Sequence, residues 1–392
     1  MPSPQSLTAS IAARARELGF ERVGFSPAHR ARRADVFKAW LDRGLHGEMG
    51  YLAREPEARA DPTRRDSWAR SVVSLSMNYL PAGPGWAEAP GILGRLARYA
   101  AGEDYHDLLR ERCESLMGFV QTLAPGTRGR IAVDTSAILE RDFAEASGAG
   151  WSAKNTMIID TEVGSWTFLG ELVLDLELEY DSEPEDRCGS CRICLDACPT
   201  GAILEERMLD ATRCISYLTI ELRAAIPPDK RHAVGDHLFG CDICQEVCPW
   251  NRKAPETREA AFRPRPIYER VGLAEVARLS EERFRSVFGR SAIRRAKRRG
   301  LVRNALIAGA NTGDGEVIEA AVDALSDPDP IVRGAAAWAL GQEGERRHRD
   351  ALESALTRET DPSVRLEIRS ALDEAAVGQS TETRRKPEER RP

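Results

Sequence analysis

Eight of the nine cysteines in this chain of 392 residues fall between positions 188 and 248. Cys188, Cys191, Cys194 and Cys198 open the stretch, with Pro199 directly after the last of them. Cys241, Cys244 and Cys248 close it, followed by Pro249, and Cys214 stands between the two groups. Whatever else the chain builds, this segment must wrap its backbone so that thiols three residues apart turn to a common point.

The run C-x2-C-x2-C-x3-C-P has the spacing of bacterial two-cluster ferredoxins, in which the cysteine before proline serves the other cluster. The second group keeps C-x2-C-x3-C-P, and Cys214 takes the place of its first cysteine. A [4Fe–4S] cube needs four thiolates, three from one tight loop and one from elsewhere. The pattern therefore assigns Cys188, Cys191, Cys194 and Cys248 to one cluster. Cys198, Cys214, Cys241 and Cys244 go to the other. Zinc also uses C-x2-C pairs, but a four-ligand site has no use for three close thiolates and a C-P, twice over. Length and the lack of a secretory pattern argue against a disulfide framework. Two clusters side by side move electrons, so the remaining residues must explain where the electrons go.

The length allows two or three domains with real cores. A net charge of −6 does not advertise a nucleic-acid partner, so any such partner needs a local patch. One exists at Ser291–Arg303, where Arg294, Arg295, Lys297, Arg298, Arg299 and Arg303 occur without an acid. It reads either as a solvated helix face or as a phosphate-contacting patch. No run of about 18 apolar residues occurs, so no membrane helix is expected. Metal-spaced thiols and an amphipathic start without a signal-peptide core point to a cytoplasmic protein.

Taken in order, residues 6–19 and 34–43 read as helices and Val23–Phe25 as a strand. His46 sits in a glycine-rich loop, as a ligand, an acid–base group or a plain loop residue. Ser71–Tyr79 sets Val73, Leu75, Met77 and Tyr79 against Val72, Ser74, Ser76 and Asn78, a strand pattern. A Pro/Gly-rich loop spans Pro81–Gly94, and a helix covers about 104–123 with Asp104 at its N-terminus. Cys113, apart from the other eight, reads as a small buried hydrophobe. Arg130–Asp134 reads as a buried strand ending in an acid. Asp134 is either a helix N-cap or an acid facing a crevice. A helix follows at 138–146, then a loop at Gly148–Asn155 in which Lys154 is a surface charge or an anion contact. Strands are expected at 156–160 and 168–180. The prolines of Asn251–Pro266 mark a boundary. Val302-Arg303, Val332-Arg333 and Val364-Arg365 recur near helix-opening prolines, which suggests a short HEAT-type array. The expected fold is α+β and multidomain. A mixed α/β domain spans 1–180 and a ferredoxin-like two-cluster domain 181–255. A linker with the basic run covers 256–300, helical HEAT-like repeats 301–378 and a disordered tail 379–392.

The chain resembles the epoxyqueuosine reductase family over roughly residues 5–375. The resemblance rests on Leu45-His46-Gly47-Glu48-Met49, Asp134-Thr135 with Leu139-Glu140-Arg141, Gly150-Trp151 with Lys154-Asn155-Thr156, and Phe168-Leu169-Gly170-Glu171-Leu172. It also rests on Cys214 through Glu221, and on Gly240-Cys241-Asp242 with Cys244 through Asn251. The resemblance implies reduction of epoxyqueuosine to queuosine at the wobble position of transfer RNA. It implies two [4Fe–4S] clusters and base-off cobalamin. Asp104-x-His106 begins a D-x-H-x-x-G cobalamin motif, but Leu109 replaces its glycine, which agrees with the base-off state. Asp134 would be the proton donor, protonated if buried. Arg98, Tyr105, Asp134, Lys154, Asn155 and Ser216 would lie near the corrin or the substrate. Ala153 departs from the family's usual glycine. The implied partners are the tRNA anticodon stem-loop and an external reductant or electron-donor protein, acting on a monomer. Two alternatives stand beside this reading. A corrinoid reductive dehalogenase-like oxidoreductase would leave the basic run and repeats without purpose. A ferredoxin with a scaffold tail would not need so large an N-terminal domain.

Overall fold

The strand Ser71–Asn78 is buried along its whole length, because helices cover both of its faces. In this computed structural model, which describes residues 3–81, 94–343 and 345–384, the chain packs into two compact units. The first comprises Met1–Gly83, Arg98–Cys214 and Asp242–Pro264; the second comprises Pro84–Ala97, Ile215–Cys241 and Arg265–Pro392. Most of the expected loop Pro81–Gly94, residues 82–93, lies outside the described residues.

In the first unit, α1 (Pro4–Glu17) is capped by Ser3, whose hydroxyl accepts from the Ser6 amide. Then come β1 (Arg22–Pro27), β2 (Ser71–Asn78), α2 (Tyr105–Leu123), β3 (Gly129–Ala132), α3 (Glu140–Ala146) and β4 (Thr167–Leu174). The four strands form an antiparallel sheet in the order β1-β2-β4-β3. Its first face carries Val73, Leu75, Met77, Leu172 and Leu174. These pack on Leu7, Ile11 and Ala15 of α1 and on Leu109, Cys113, Leu116 and Val120 of α2. Cys113 is thus the buried hydrophobe expected. Each such side chain contributes about 1.5–3 kcal/mol by leaving water.

The second face is unlike the first. Val72, Ala132 and Val173 meet Ile138 and Phe143 there, but the row between them is Gly24–Ser74–Glu171–Ala132 by register. α3 lies across this face against β1, β2 and β4. Its C-terminal Ser147 carbonyl sits so close to Gly24 that a Cβ there would stand 2.0 Å from the oxygen. Only glycine admits that approach.

The strand expected over 168–180 ends at Leu174. There β4 reaches the first residue of each neighbour, Ser71 of β2 and Gly129 of β3. Beyond it, among the described residues, the Asp175 amide bonds the Arg128 carbonyl and the ladder ends, so the alternation of Leu176, Leu178 and Tyr180 does not extend the strand. The loop expected at 148–155 contains a short strand, Trp151–Ser152, paired with Ile158–Ile159.

In the second unit, Arg95–Leu96 pairs in parallel with His237–Phe239. The helices are α4 (Ile215–Ile220), then α5 (Lys297–Thr312), α6 (Gly315–Ala324), α7 (Pro330–Glu343), α8 (Arg346–Arg358) and α9 (Pro362–Arg384). α5, α7 and α9 pack side by side, and Gly341 lets α7 touch the backbone of Ala371. The three Val-Arg pairs of the repeat do one job. Arg333 donates to the carbonyls of Asp327 and Pro328 and pairs with Glu359. Arg365 donates to those of Leu356 and Glu359 at the end of α8. Arg303 donates to those of Leu218, Leu222 and Ala224 at the end of α4. The helix that follows Cys214 therefore occupies, for the first repeat, the place of the preceding repeat's last helix. The stretch expected as a linker also forms two helices, Leu273–Ala277 and Glu281–Phe288. α9 continues to Arg384, into the tail expected to be unstructured; 385–392 lie outside the described residues.

Much of the basic run serves this packing. Arg303 is 1% exposed. Arg298 pairs with Asp327 and donates to the Leu279 carbonyl. Arg295 forks onto Glu221 at 2.9 Å, and Arg299 faces Asp329. Arg294, Arg295 and Lys297 are the members with exposed side chains.

Candidate active site

β3 ends at Ala132 and the chain turns sharply. Asp134 takes a left-handed backbone with φ +49°, a conformation that costs a non-glycine residue energy and concentrates at functional sites. Asp134 does not cap α3, whose N-cap is Leu139. It is also not the buried acid that the resemblance implies. Its side chain is half exposed, and its carboxylate meets His106 Nε2 at 2.9 Å. His106 Nδ1 meets Asp104 at 2.7 Å, and Asp104, expected at the N-terminus of α2, is its N-cap. Asp104, His106 and Asp134 thus form a continuous chain. Burial alone would lower the His106 pKa, but the two carboxylates overcome it and raise it to about 9. The imidazole is charged at neutral pH.

Two more residues fix this turn. Glu140, the first residue of α3, accepts a 2.5 Å hydrogen bond from the Asp134 amide. Burial, then the nearby Asp134 charge, pushes Glu140 up to about 8. Arg59 is buried and donates to the Ser136 carbonyl. Beside them the Tyr105 ring stacks on Phe168, with centroids 4.1 Å apart, and on His106 at 4.0 Å. His106 and Glu140 were missed as functional residues. The Asp104-x-His106 spacing was the available signal, since it puts the histidine in the first turn of α2 with its aspartate as cap.

The cysteine loops are built alike. Ile193–Asp196 and Ile243–Glu246 are four-residue helices that follow corresponding cysteines and pack on each other. Cys188, Cys191, Cys194 and Cys248 lie near enough to influence one another's charge. Burial raises the Cys194 thiol, and the charges of Cys248, Cys188 and Cys191 raise it further. Burial likewise raises Cys248, with Cys188 and Cys191 adding to it. Four mutually repelling thiolates suit a cationic iron cube. Cys198 is different: hydrogen bonds from Thr200 and the Ala202 amide outweigh burial and lower its pKa. Cys214, Cys241 and Cys244 are half-buried. Among the described residues no three His, Cys, Asp or Glu side chains converge tightly enough for a single metal ion.

The remaining expected residues mostly brace these loops. Lys154 is buried, donates to the Gly189 carbonyl at 2.6 Å and pairs with Glu206, so it is not a surface charge. Asn155 donates to the Cys244 carbonyl at 3.1 Å. Trp151 Nε1 points at the Cys188 sulfur at 3.5 Å. The Arg98 amide donates to Asp242, and its guanidinium pairs with Glu246 beneath Trp166. Burial drives Asp242 up to about 6 against the pull of Arg98. Ser216 lies in α4, in the second unit. His46 stacks loosely on Trp40 and touches none of this chemistry. Gln245, Asn251 and Ser165 form a buried hydrogen-bonded trio behind Cys244 and Cys248 that sequence reading missed.

Known proteins share this arrangement. A family model described as epoxyqueuosine reductase QueG, DUF1730, matches residues 59–135. A 4Fe-4S double cluster binding domain matches 187–251, spanning all eight clustered cysteines, and HEAT repeats match 291–373. An epoxyqueuosine reductase of Escherichia coli (strain K12) is 42% identical over 334 residues, 85% of this chain and 88% of that one. A crystal structure of epoxyqueuosine reductase with an epoxyqueuosine-modified tRNA-Tyr stem loop superposes with a TM-score of 0.89 at 32% identity, covering 95% of this chain and 99% of the other. A Bacillus subtilis epoxyqueuosine reductase, with an aspartate-bearing catalytic loop swung out of its active site, gives 0.85 at 31% identity over 94% and 99%. The paired cysteine loops, the strained aspartate turn and the helical repeat all lie within these matches, and the chain belongs to the epoxyqueuosine reductase family.

Proposed function

We propose that this protein reduces epoxyqueuosine to queuosine in the anticodon loop of transfer RNA. The observation that carries this reading is the relatives' shared activity, at 42% identity across nearly their whole length, joined to an acid on a strained turn beside a charged histidine. The double-cluster segment holds iron–sulfur clusters. Cys188, Cys191, Cys194 and Cys248 ligate one, and Cys198, Cys214, Cys241 and Cys244 the other. An external donor supplies the electrons.

Removing the epoxide oxygen breaks two C–O bonds and forms a C=C bond. It consumes two electrons and two protons and releases water. Cobalamin, when bound, supplies the electron chemistry at carbon. Its base-off state fits His106, both of whose ring nitrogens are engaged by aspartates and neither of which remains for cobalt. Tyr105, with Arg98, Lys154, Asn155 and Ser216, would flank the corrin. Asp134, a carboxylate beside the charged His106 at rest, takes up a proton and relays it to the departing oxygen, and His106 orients its carboxyl. A solved relative holds a modified stem loop, and the same RNA element is the substrate here. The test is conversion of epoxyqueuosine in an anticodon stem-loop by anaerobically reconstituted protein with cobalamin and a reductant. Nucleoside mass should show loss of one oxygen. Fully iron-loaded protein that leaves the epoxide intact would overturn the reading and favour plain electron transfer.

A further inference from the structure

Glu171 is 0% exposed, and neither carboxyl oxygen has a hydrogen-bond partner among the described residues. A buried unpaired carboxyl costs several kcal/mol if it is charged, so it needs a reason. Its place in the sheet supplies one. Register sets Glu171 directly between Ser74 and Ala132, two residues before Asp134. It belongs to the second face of the sheet, the one α3 covers, and α3 begins with Glu140. Glu140 in turn bonds the Asp134 amide. The same face holds Ser26, Ser74 and Ser76, buried hydroxyls that likewise lack partners, so the row has polar groups able to carry ordered water.

We propose that the buried Glu171 and the half-buried Glu140 are an acid pair that stores protons behind Asp134 and refills it during turnover. The inference rests on the proposed reduction, which consumes two protons for each oxygen removed. Asp134 delivers a proton and is left as a carboxylate. Glu140 passes its own proton on to it, and Glu171 restores Glu140. The pair is reloaded from water between turnovers, so no oxidant or reductant enters this part of the cycle.

The surroundings keep both acids neutral. Burial raises Glu171 well above the ordinary carboxylate range, and Glu140 adds to the shift against the pull of Arg130. Around Glu140 stand Asp134, Arg141 and Arg59. Across the sheet, on the α2 side, burial raises the Cys113 thiol and the Glu171 charge adds to it, so that thiol stays protonated. Two carboxyls that raise one another in this way do not both ionise readily.

The test is Glu171→Gln, which keeps the shape and removes the proton. Iron content, cobalamin uptake, thermal midpoint and KM for the stem-loop should match the parent. Turnover should fall about tenfold, within the range of acid–base contributions, and the ionisation near 8 assigned to Glu140 should move in the pH profile. Infrared difference spectra of the cofactor-free chain should lose a protonated-carboxyl carbonyl band in Glu171→Gln, and a second one in Glu140→Gln. That readout needs no activity, so it judges the pair even if the parent fails to reduce epoxyqueuosine. Spectra without such bands, or an unchanged turnover and pH profile, would overturn the proposal.

Discussion

The two compact units bury charge in opposite ways. In the helical unit, buried guanidiniums are answered. Arg303 meets three carbonyls and Asn304, Arg231 forks onto Glu367, and the half-buried Arg333 onto Glu359. His348, buried with neither ring nitrogen hydrogen-bonded among the described residues, is one exception. In the sheet unit, Glu171, three serine hydroxyls and both terminal nitrogens of Arg130 are buried without partners among the described residues. Each such group costs about 1–3 kcal/mol. Selection for stability alone would have filled that face as it filled the other, with Val, Leu and Met. The difference separates charge used as a latch, which must be satisfied, from charge held for proton transfer, which must not be.

The largest effect expected is at the end of the polar row. Asp134→Asn keeps the turn and the Glu140 bond but cannot give a proton. Conversion of the epoxide should fall about 10²–10⁴-fold, with cluster and cobalamin loading intact. Retained activity would erase the contrast, because the unsatisfied face would then lead to nothing.

Next in size is the strongest latch. Arg303→Met leaves the Leu218, Leu222 and Ala224 carbonyls without their donor, at about 1–3 kcal/mol for each that stays buried. The loss should reach beyond stability. Asn304 beside it donates to the carbonyls of Thr219 and Leu238, and the Thr219 hydroxyl accepts from the Gly240 amide. These bonds fix the segments next to Cys214 and Cys241. A lowered thermal midpoint with iron dropping toward one cluster per chain is the expected outcome. Full iron content in a merely less stable protein would reduce Arg303 to an ordinary helix brace.

His106 gives a smaller, pH-marked effect. Its folded pKa of about 9 lies above the ordinary value near 6.5. The stabilisation from the two aspartates is therefore complete below about 6.5 and is lost as pH rises through 9. The stability gap between the parent and His106→Gln should be widest in the acid range and close above 9, as read by denaturant titration at several pH values. A gap that does not change with pH would mean the imidazole is neutral in the folded chain.

What could be read in advance follows the same division between near and far. The cysteine pattern is local: each loop is closed by its own spacing, and the charges of Cys248, Cys188 and Cys191 are felt at Cys194. The alternation of β2 is local too, and it gave both faces correctly. What it could not give was the cover. Ser74 and Ser76 look like solvent-facing positions until α3, more than 60 residues on, lies over them. Asp104 was legible at the N-terminus of its helix, but its histidine's second partner lies 28 residues away. The acids that answer Arg295 and Arg298 stand 74 and 29 residues off, so a run read for its charge looked more available than it is.

That run supplies the smallest prediction. Substituting Arg298 would disturb a buried pair with Asp327 and would weaken RNA binding only by unsettling the fold. Arg294 and Lys297 have exposed side chains, and substitution there tests phosphate binding with less disturbance. If both approach the backbone of a stem-loop, Arg294→Gln with Lys297→Gln should lower affinity similarly for different loop sequences. The slope of log affinity against log salt should flatten by about 1 for each phosphate no longer neutralised. The thermal midpoint should stay near the parent's, unlike that of Arg303→Met. An unchanged slope would make this stretch wholly a packing device, and the helical unit would then hold no charge kept for a ligand in the way the sheet unit does.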